Sequence, residues 1–417
     1  MSKTGERYAA ARLALLKNAS SNADSPAAEA VPPGTILTDL GALAMALQAA
    51  GIVDPATGAP FSETRLFGLS GGPGFMSFVF QYQNVAPILT ITCRSFSLPG
   101  PVVDRALEHA GINPDRFESG STSKSRRALD QVLEQSRVAH LAVDQARLPW
   151  LGLDPIWQGQ WPRHVNVSKV GDAFRVQDQA QWTLSEEQLA AARAGIKKAK
   201  HRMLSFGDTT VGDPVAATRQ ALEFYVSNQR TAPYANFKNN FGLKGLARTA
   251  QAMGDLTTKK GWLRTFDSGP YAFAALWRLW ECLTVELTAP AAGRPLFADF
   301  LEQASELPGC PDLRSAAELA RASGEAFEDL VDLAVAAGGG PLGQAIEWTE
   351  AIDEALRSGA PDTPETVREL RARRAALAAQ CTLDEASRRE VFTALAAQMN
   401  RILDRETALV EALERKP

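Results

Sequence analysis

The chain has 417 residues, 45% hydrophobic and 22% charged, enough for two or three globular domains of about 150 residues each. Lysine plus arginine (44) nearly balance aspartate plus glutamate (48); the formal charge is −4 and no basic run exists to hold a phosphate backbone, so nucleic acid is not an expected partner. Cys93, Cys282, Cys310 and Cys381 are far apart, which argues against a zinc site or a disulfide framework; with no membrane span and no signal peptide, the expected compartment is the cytoplasm.

In chain order, residues 5–17 carry Tyr8, Ala11, Leu15 and Leu16 near one side of a short amphipathic helix, and residues 18–33, rich in Ala, Ser and Pro, form a linker. Residues 33–51 then read as a helix that stops at a glycine, with Thr38 just before its apolar run. A hydroxyl there has two readings: an N-cap that satisfies one free N–H, or a nucleophile activated at the positive end of the helix dipole. Residues 66–80 place Gly71 and Gly72 between two apolar segments that read as buried strand or core. This is neither a dinucleotide fingerprint nor a P-loop, because Pro73 interrupts it and no Gly-Lys closes it; close backbone packing or approach to a ligand fits better.

Strands are predicted at 86–93, 138–143, 164–170 and 173–178, with helices near 102–110 and 125–135, an α+β layout. Gly171-Asp172 joins the last two strands as a hairpin, so His164 opens one strand and Asp178 closes the other. An imidazole held by a carboxylate is a competent general base; isolated His and Asp residues at strand ends are also commonly structural. From about residue 211 the chain is helical. Residues 272–283 are apolar almost all round and read as a central core helix, and the stretches beyond Thr363 read as two long amphipathic helices able to close a bundle or mediate self-association. The expected division is an arm and linker over 1–33, an α+β domain over 34–210 and an all-α helical domain over 211–417.

The order of these features resembles the BtrH-like family of butirosin-pathway acyltransferases, in which a papain-like domain precedes a helical domain. Leu37-Thr38 before Ala42-Leu43 takes the place of the family's His-Cys pair. Ser62-Glu63, Phe67-Gly68 and the glycines up to Phe75 match its glycine-rich region, Asp144 with Leu148-Pro149-Trp150 matches its Asp and Leu-Pro-aromatic pair, and His164 and Asp178 match its His-opened and Asp-closed strands. The resemblance covers roughly residues 34–336. It implies a papain-like fold, catalytic positions at Thr38, His164 and Asp178, and substrate contacts at Glu63, Gly71, Gly72 and Asp144. The implied activity is transfer of an acyl group from a carrier-protein thioester to an amine, with an acyl-carrier protein or peptide substrate as partner and without cofactor or metal. The departure at Thr38 matters, because a hydroxyl ionises far above a thiol and must lose its proton during attack. Three uses of the site therefore stand: Thr38 attacks with His164 as base, His164 acts directly on an acceptor amine, or the fold is an inactive scaffold that binds a peptide, carrier protein or partner subunit. A peptidase or amidase would share the geometry but must admit water.

Overall fold

The structure, a computed structural model, describes residues 37–82, 86–94, 99–135, 138–286 and 288–415. The amphipathic arm expected over 1–33 lies outside them. The described chain opens with α1 (Thr38–Ala49), a small hairpin β1 (Val53–Asp54) and β2 (Ala59–Pro60), and α2 (Glu63–Leu69). The first apolar segment of the glycine region is thus helix, not strand. Ser62 dictates this, its side chain accepting the Arg65 N–H at 3.0 Å as an N-cap. The second segment is a strand, β3 (Met76–Phe80), which pairs antiparallel with β4 (Ile88–Thr92).

α3 (Pro99–His109), β5 (Asp115–Phe117) and α4 (Thr122–Glu134) lead to β6 (Ala139–Asp144), β7 (Pro162–Val170), β8 (Ala173–Gln177) and β9 (Gln181–Leu184). After α5 (Glu186–Gly195) the chain returns as β10 (Met203–Ser205). These strands form one six-stranded antiparallel sheet in the order β5-β10-β6-β7-β8-β9. The β7–β8 turn is where the sequence put it: Val170 pairs with Ala173, and Gly171 takes φ +59°.

Everything beyond is helical: α6 (Pro214–Arg230), α7 (Gly242–Gly254), α8 (Trp262–Thr265), α9 (Gly269–Thr284), α10 (Arg294–Ser305), α11 (Arg314–Ser358), α12 (Thr363–Ala375) and α13 (Glu385–Glu414). α11 is broken at Gly339, whose φ of +59° no helix accommodates. Mixed α+β structure with a helical C-terminal region is therefore what the chain forms. The apolar cores do not follow the expected boundary at 210/211. One joins α1 to α6, α10 and α13, a second joins the β3–β4 hairpin to α7, α9 and α11, and a third joins the large sheet to Ile352, Leu356 and Val367.

Strand alternation gives the large sheet two unlike faces. Leu141, Val143, Val165, Val167, Phe174 and Val176 lie on one, under Leu129 and Leu133 of α4 and Leu189 and Ala192 of α5. His140, Ala142, His164 and Asn166 lie on the other, which α1 covers. That helix is apolar on nearly every side, and its Gly41 and Ala42 let its backbone approach the strands closely.

Candidate functional site

α1 packs against the polar face of β7, where Asn166 Nδ2 reaches the Ala42 carbonyl. Leu37, not Thr38, is the N-cap residue, and no side chain caps there. Thr38 is the first helical residue, half-buried, and its hydroxyl makes no hydrogen bond among the described residues. The capping role is therefore not the one it fills. Glu63 accepts the Leu37 N–H through Oε1, a structural tie between α2 and the start of α1.

One residue further on, Asp39 is buried and accepts two hydrogen bonds from Arg94, at 2.9 and 3.0 Å, and one from the Leu40 N–H. Burial pushes its carboxyl up, but the Arg94 charge and hydrogen bonds and the nearby His164 outweigh this and hold it below the usual range.

His164 is 2% exposed and His140 1%. The register pairs His140 with Asn166 and Ala142 with His164, so the three polar side chains share one face of two adjacent strands. They form a chain of hydrogen bonds. Asn166 Nδ2 donates to the Ala42 carbonyl of α1 at 2.7 Å, which turns its Oδ1 toward His140 Nδ1 at 2.8 Å. An amide oxygen only accepts, so His140 carries its proton on Nδ1 and, when neutral, offers a lone pair at Nε2. His164 Nδ1 stands 2.9 Å from that nitrogen and must donate to it. The consequence is a fixed tautomer: His164 holds its proton on Nδ1 and leaves Nε2 as an acceptor, with no hydrogen-bond partner among the described residues.

Both rings are neutral at pH 7. Burial, then the neighbouring His140, drives His164 down to about 3 despite the opposing charge of Asp39. Burial takes His140 to about 4, against the upward pull of its Asn166 bond.

The expected His164–Asp178 pair does not form. Extending the β7–β8 register sets Asp178 opposite Val165, on the apolar face, one residue out of step with His164. There its carboxylate is held by Arg163 at 2.7 Å and accepts the Trp150 Nε1–H at 2.9 Å. Asp178 is a structural residue behind the sheet, and Asn166 is what orients the imidazoles. Asp144 is also fully buried, accepting the Gly159 N–H at 2.9 Å and the Ala146 N–H at 3.1 Å. Gly71 and Gly72 are buried too; a Cβ on Gly72 would stand 2.6 Å from the Phe297 ring. The glycine region is thus close packing against α10. His164 lies on the strand face that α1 covers and Thr38 is the first residue of that helix, while Glu63, Gly71, Gly72, Asp144 and Asp178 hold the framework.

Sequence reasoning missed His140, Asn166, Asp39 and Arg94. Two signals were present: His140 interrupts an apolar strand, and Asn166 follows His164 by two, the spacing that shares a face. No thiol substitutes for the missing Cys. All four are free, and burial raises Cys93 to about 11 and lifts Cys282 and Cys310 as well. Among the described residues no group of three His, Cys, Asp or Glu side chains is arranged to hold a metal. No protein-family model and no curated protein matches this chain.

Proposed function

We propose that this chain is an acyl-transfer protein of the BtrH-like, papain-type kind that promotes direct attack of an amine on a thioester. His164 Nε2 accepts a hydrogen bond from the attacking amine; the C–N bond forms as the C–S bond breaks, and the amine proton ends on the departing sulfur. With the Leu37 N–H given to Glu63 and the Leu40 N–H to Asp39, the Thr38 and Asp39 N–H groups at the start of α1 are the donors assigned to the developing oxyanion. One observation carries this reading: the Asn166–His140–His164 chain leaves a single, oriented acceptor nitrogen on the strand face that α1 covers, where Asp39 of that helix's first turn acts on the ring electrostatically.

The low basicity of His164 argues against Thr38 as a covalent nucleophile. A base with a pKa of about 3 is mismatched by many units to an aliphatic hydroxyl, whereas orienting a neutral amine requires an acceptor and no strong base. Carrier-bound acyl thioester and amine, supplied to wild type, His164→Ala and Thr38→Ala, test this. We expect His164→Ala to lose about a hundredfold or more in rate and Thr38→Ala to stay near wild type. Equal rates for wild type and His164→Ala would remove His164 from the reaction.

The burial of His164 and the Leu37-Thr38 pair favour a second reading, an inactive scaffold that binds a peptide, carrier protein or subunit. Thr38→Cys discriminates. Acyl-enzyme seen by intact mass supports a site that still receives the acyl group; no label and no turnover support the scaffold.

A further inference from the structure

In the connection from β6 to β7 the chain leaves the body of the protein. Residues 154–161 are exposed without a break. Ile156, at 76%, is more exposed than any other large apolar side chain among the described residues, and Trp157 and Trp161 follow at 47% and 41%. Single apolar side chains on a surface are ordinary, whereas three within six residues of one loop mark a contact surface. The loop is not free to fold them back. The Asp154 carboxylate accepts the Ile156 N–H at 2.8 Å, the Pro155 carbonyl accepts the Gln158 N–H at 3.0 Å, and the buried Asp144 carboxylate accepts the Gly159 N–H at 2.9 Å.

The base of this loop is basic. Gly159 packs on the Gly195 carbonyl at the end of α5, and Lys197 and Lys198 follow within three residues; Gly152 packs against Arg368 of α12, a helix with four arginines and two glutamates. Lys197, Lys198 and Arg368 are exposed, and none has a carboxylate partner among the described residues. The acid on the loop itself, Asp154, is engaged by the Ile156 N–H. With Gly152 and Gly159 as the points that touch the body, Ile156 and Trp157 form the tip and the cations stand at its foot. We infer that this loop docks the protein peripherally on an anionic lipid surface, with Ile156 and Trp157 at the boundary of headgroups and acyl chains and Lys197, Lys198 and Arg368 among the lipid phosphates. The order of the groups matches the layers of a bilayer: an apolar tip enters, indole rings favour the headgroup boundary, and cations stop at the phosphates. A protruding tip of this kind penetrates a soft surface, whereas a folded acidic partner needs a cavity shaped to receive it. No described helix is long and apolar enough to cross a membrane, so the contact is superficial. None of these residues takes part in the acyl-transfer reading, and the inference is independent of it.

The test is flotation of the full-length protein with vesicles of equal parts phosphatidylcholine and phosphatidylserine, and with vesicles of phosphatidylcholine alone, together with quenching of tryptophan fluorescence by lipids brominated near the headgroup. We expect the protein to float with the mixed vesicles, with its tryptophan emission quenched, and to bind phosphatidylcholine alone at least about tenfold more weakly. Ile156→Ser/Trp157→Ser should lower partitioning about tenfold or more, and Lys197→Gln/Lys198→Gln should do the same, with a weaker dependence on salt than wild type. All four positions are exposed, so circular dichroism of each variant should match wild type. Wild type that does not float with the mixed vesicles overturns the proposal. So does Ile156→Ser/Trp157→Ser binding equal to wild type, which would move the contact to another part of the chain, or equal binding to the two kinds of vesicle.

Discussion

Lowering the pH from 7 to 5 puts the two buried imidazoles of the β6–β7 pair under direct test. In the unfolded chain each histidine titrates near 6.5, while in the folded protein His140 and His164 stay neutral down to about 4 and about 3. A native pKa below the unfolded one means that the unfolded state takes up the proton first. Stability from these two groups is therefore complete above about pH 6.5 and is lost as the pH falls toward 4. With two protons involved the slope approaches about 3 kcal/mol per pH unit, and the loss at pH 5 relative to pH 7 is about 4 kcal/mol. That is a large fraction of a typical domain's stability of roughly 5–15 kcal/mol. Urea unfolding followed by tryptophan fluorescence at pH 7, 6 and 5 measures it, with His140→Gln/His164→Gln as the reference that cannot titrate there. The difference between the two proteins in pH dependence isolates the pair from His109 and His201, which burial also lowers. A wild-type stability that falls no faster than that of the double variant would refute the buried neutral pair.

Three further outcomes follow from the same geometry. Asp178→Ala leaves the buried Trp150 N–H and the Arg163 guanidinium without their acceptor, and should cost about 2–4 kcal/mol in chemical denaturation without changing the His164 ring signals; altered ring signals would restore Asp178 to the site. Glu406→Gln breaks a fully buried pair in which Arg294 meets Glu406 at 2.9 Å, and should cost about 3–5 kcal/mol; a loss near zero would contradict it. Gly72→Ala must fit a Cβ 2.6 Å from the Phe297 ring at φ +64°, so we expect about 2–3 kcal/mol of destabilisation, partly relieved by adding Phe297→Leu. Full stability of the single variant would show that the ring moves freely.

The hairpin shows how far the sequence could be read. Its strands and turn were legible, because alternation and Gly171-Asp172 are local signals. The His164–Asp178 pair failed on parity: a two-residue turn pairing Val170 with Ala173 sets Asp178 opposite Val165, so the two side chains leave the sheet on opposite faces. The same parity, applied forward, groups His164 with Asn166. His140 needed the β6–β7 register, which is set by a pairing of strands 18 residues apart and has no local signature. Asp39 and Arg94 are an ion pair across 55 positions, invisible without the fold. Leu66–Leu69 read as buried strand or core because it is apolar, and the Ser62 cap was the overlooked cue to a helix. The apolar cores span residue 210 because helices from both sides of it complete one another's apolar faces.

The most direct measurement is the long-range proton–nitrogen spectrum of the histidine rings at pH 7, assigned with the His140→Gln and His164→Gln variants. Our account requires a neutral His164 with its proton on Nδ1 and a bare Nε2, and a shift to the other tautomer or to free exchange when Asn166→Ala removes the anchor. A His164 ring that is protonated at pH 6, or that carries its proton on Nε2, would contradict it.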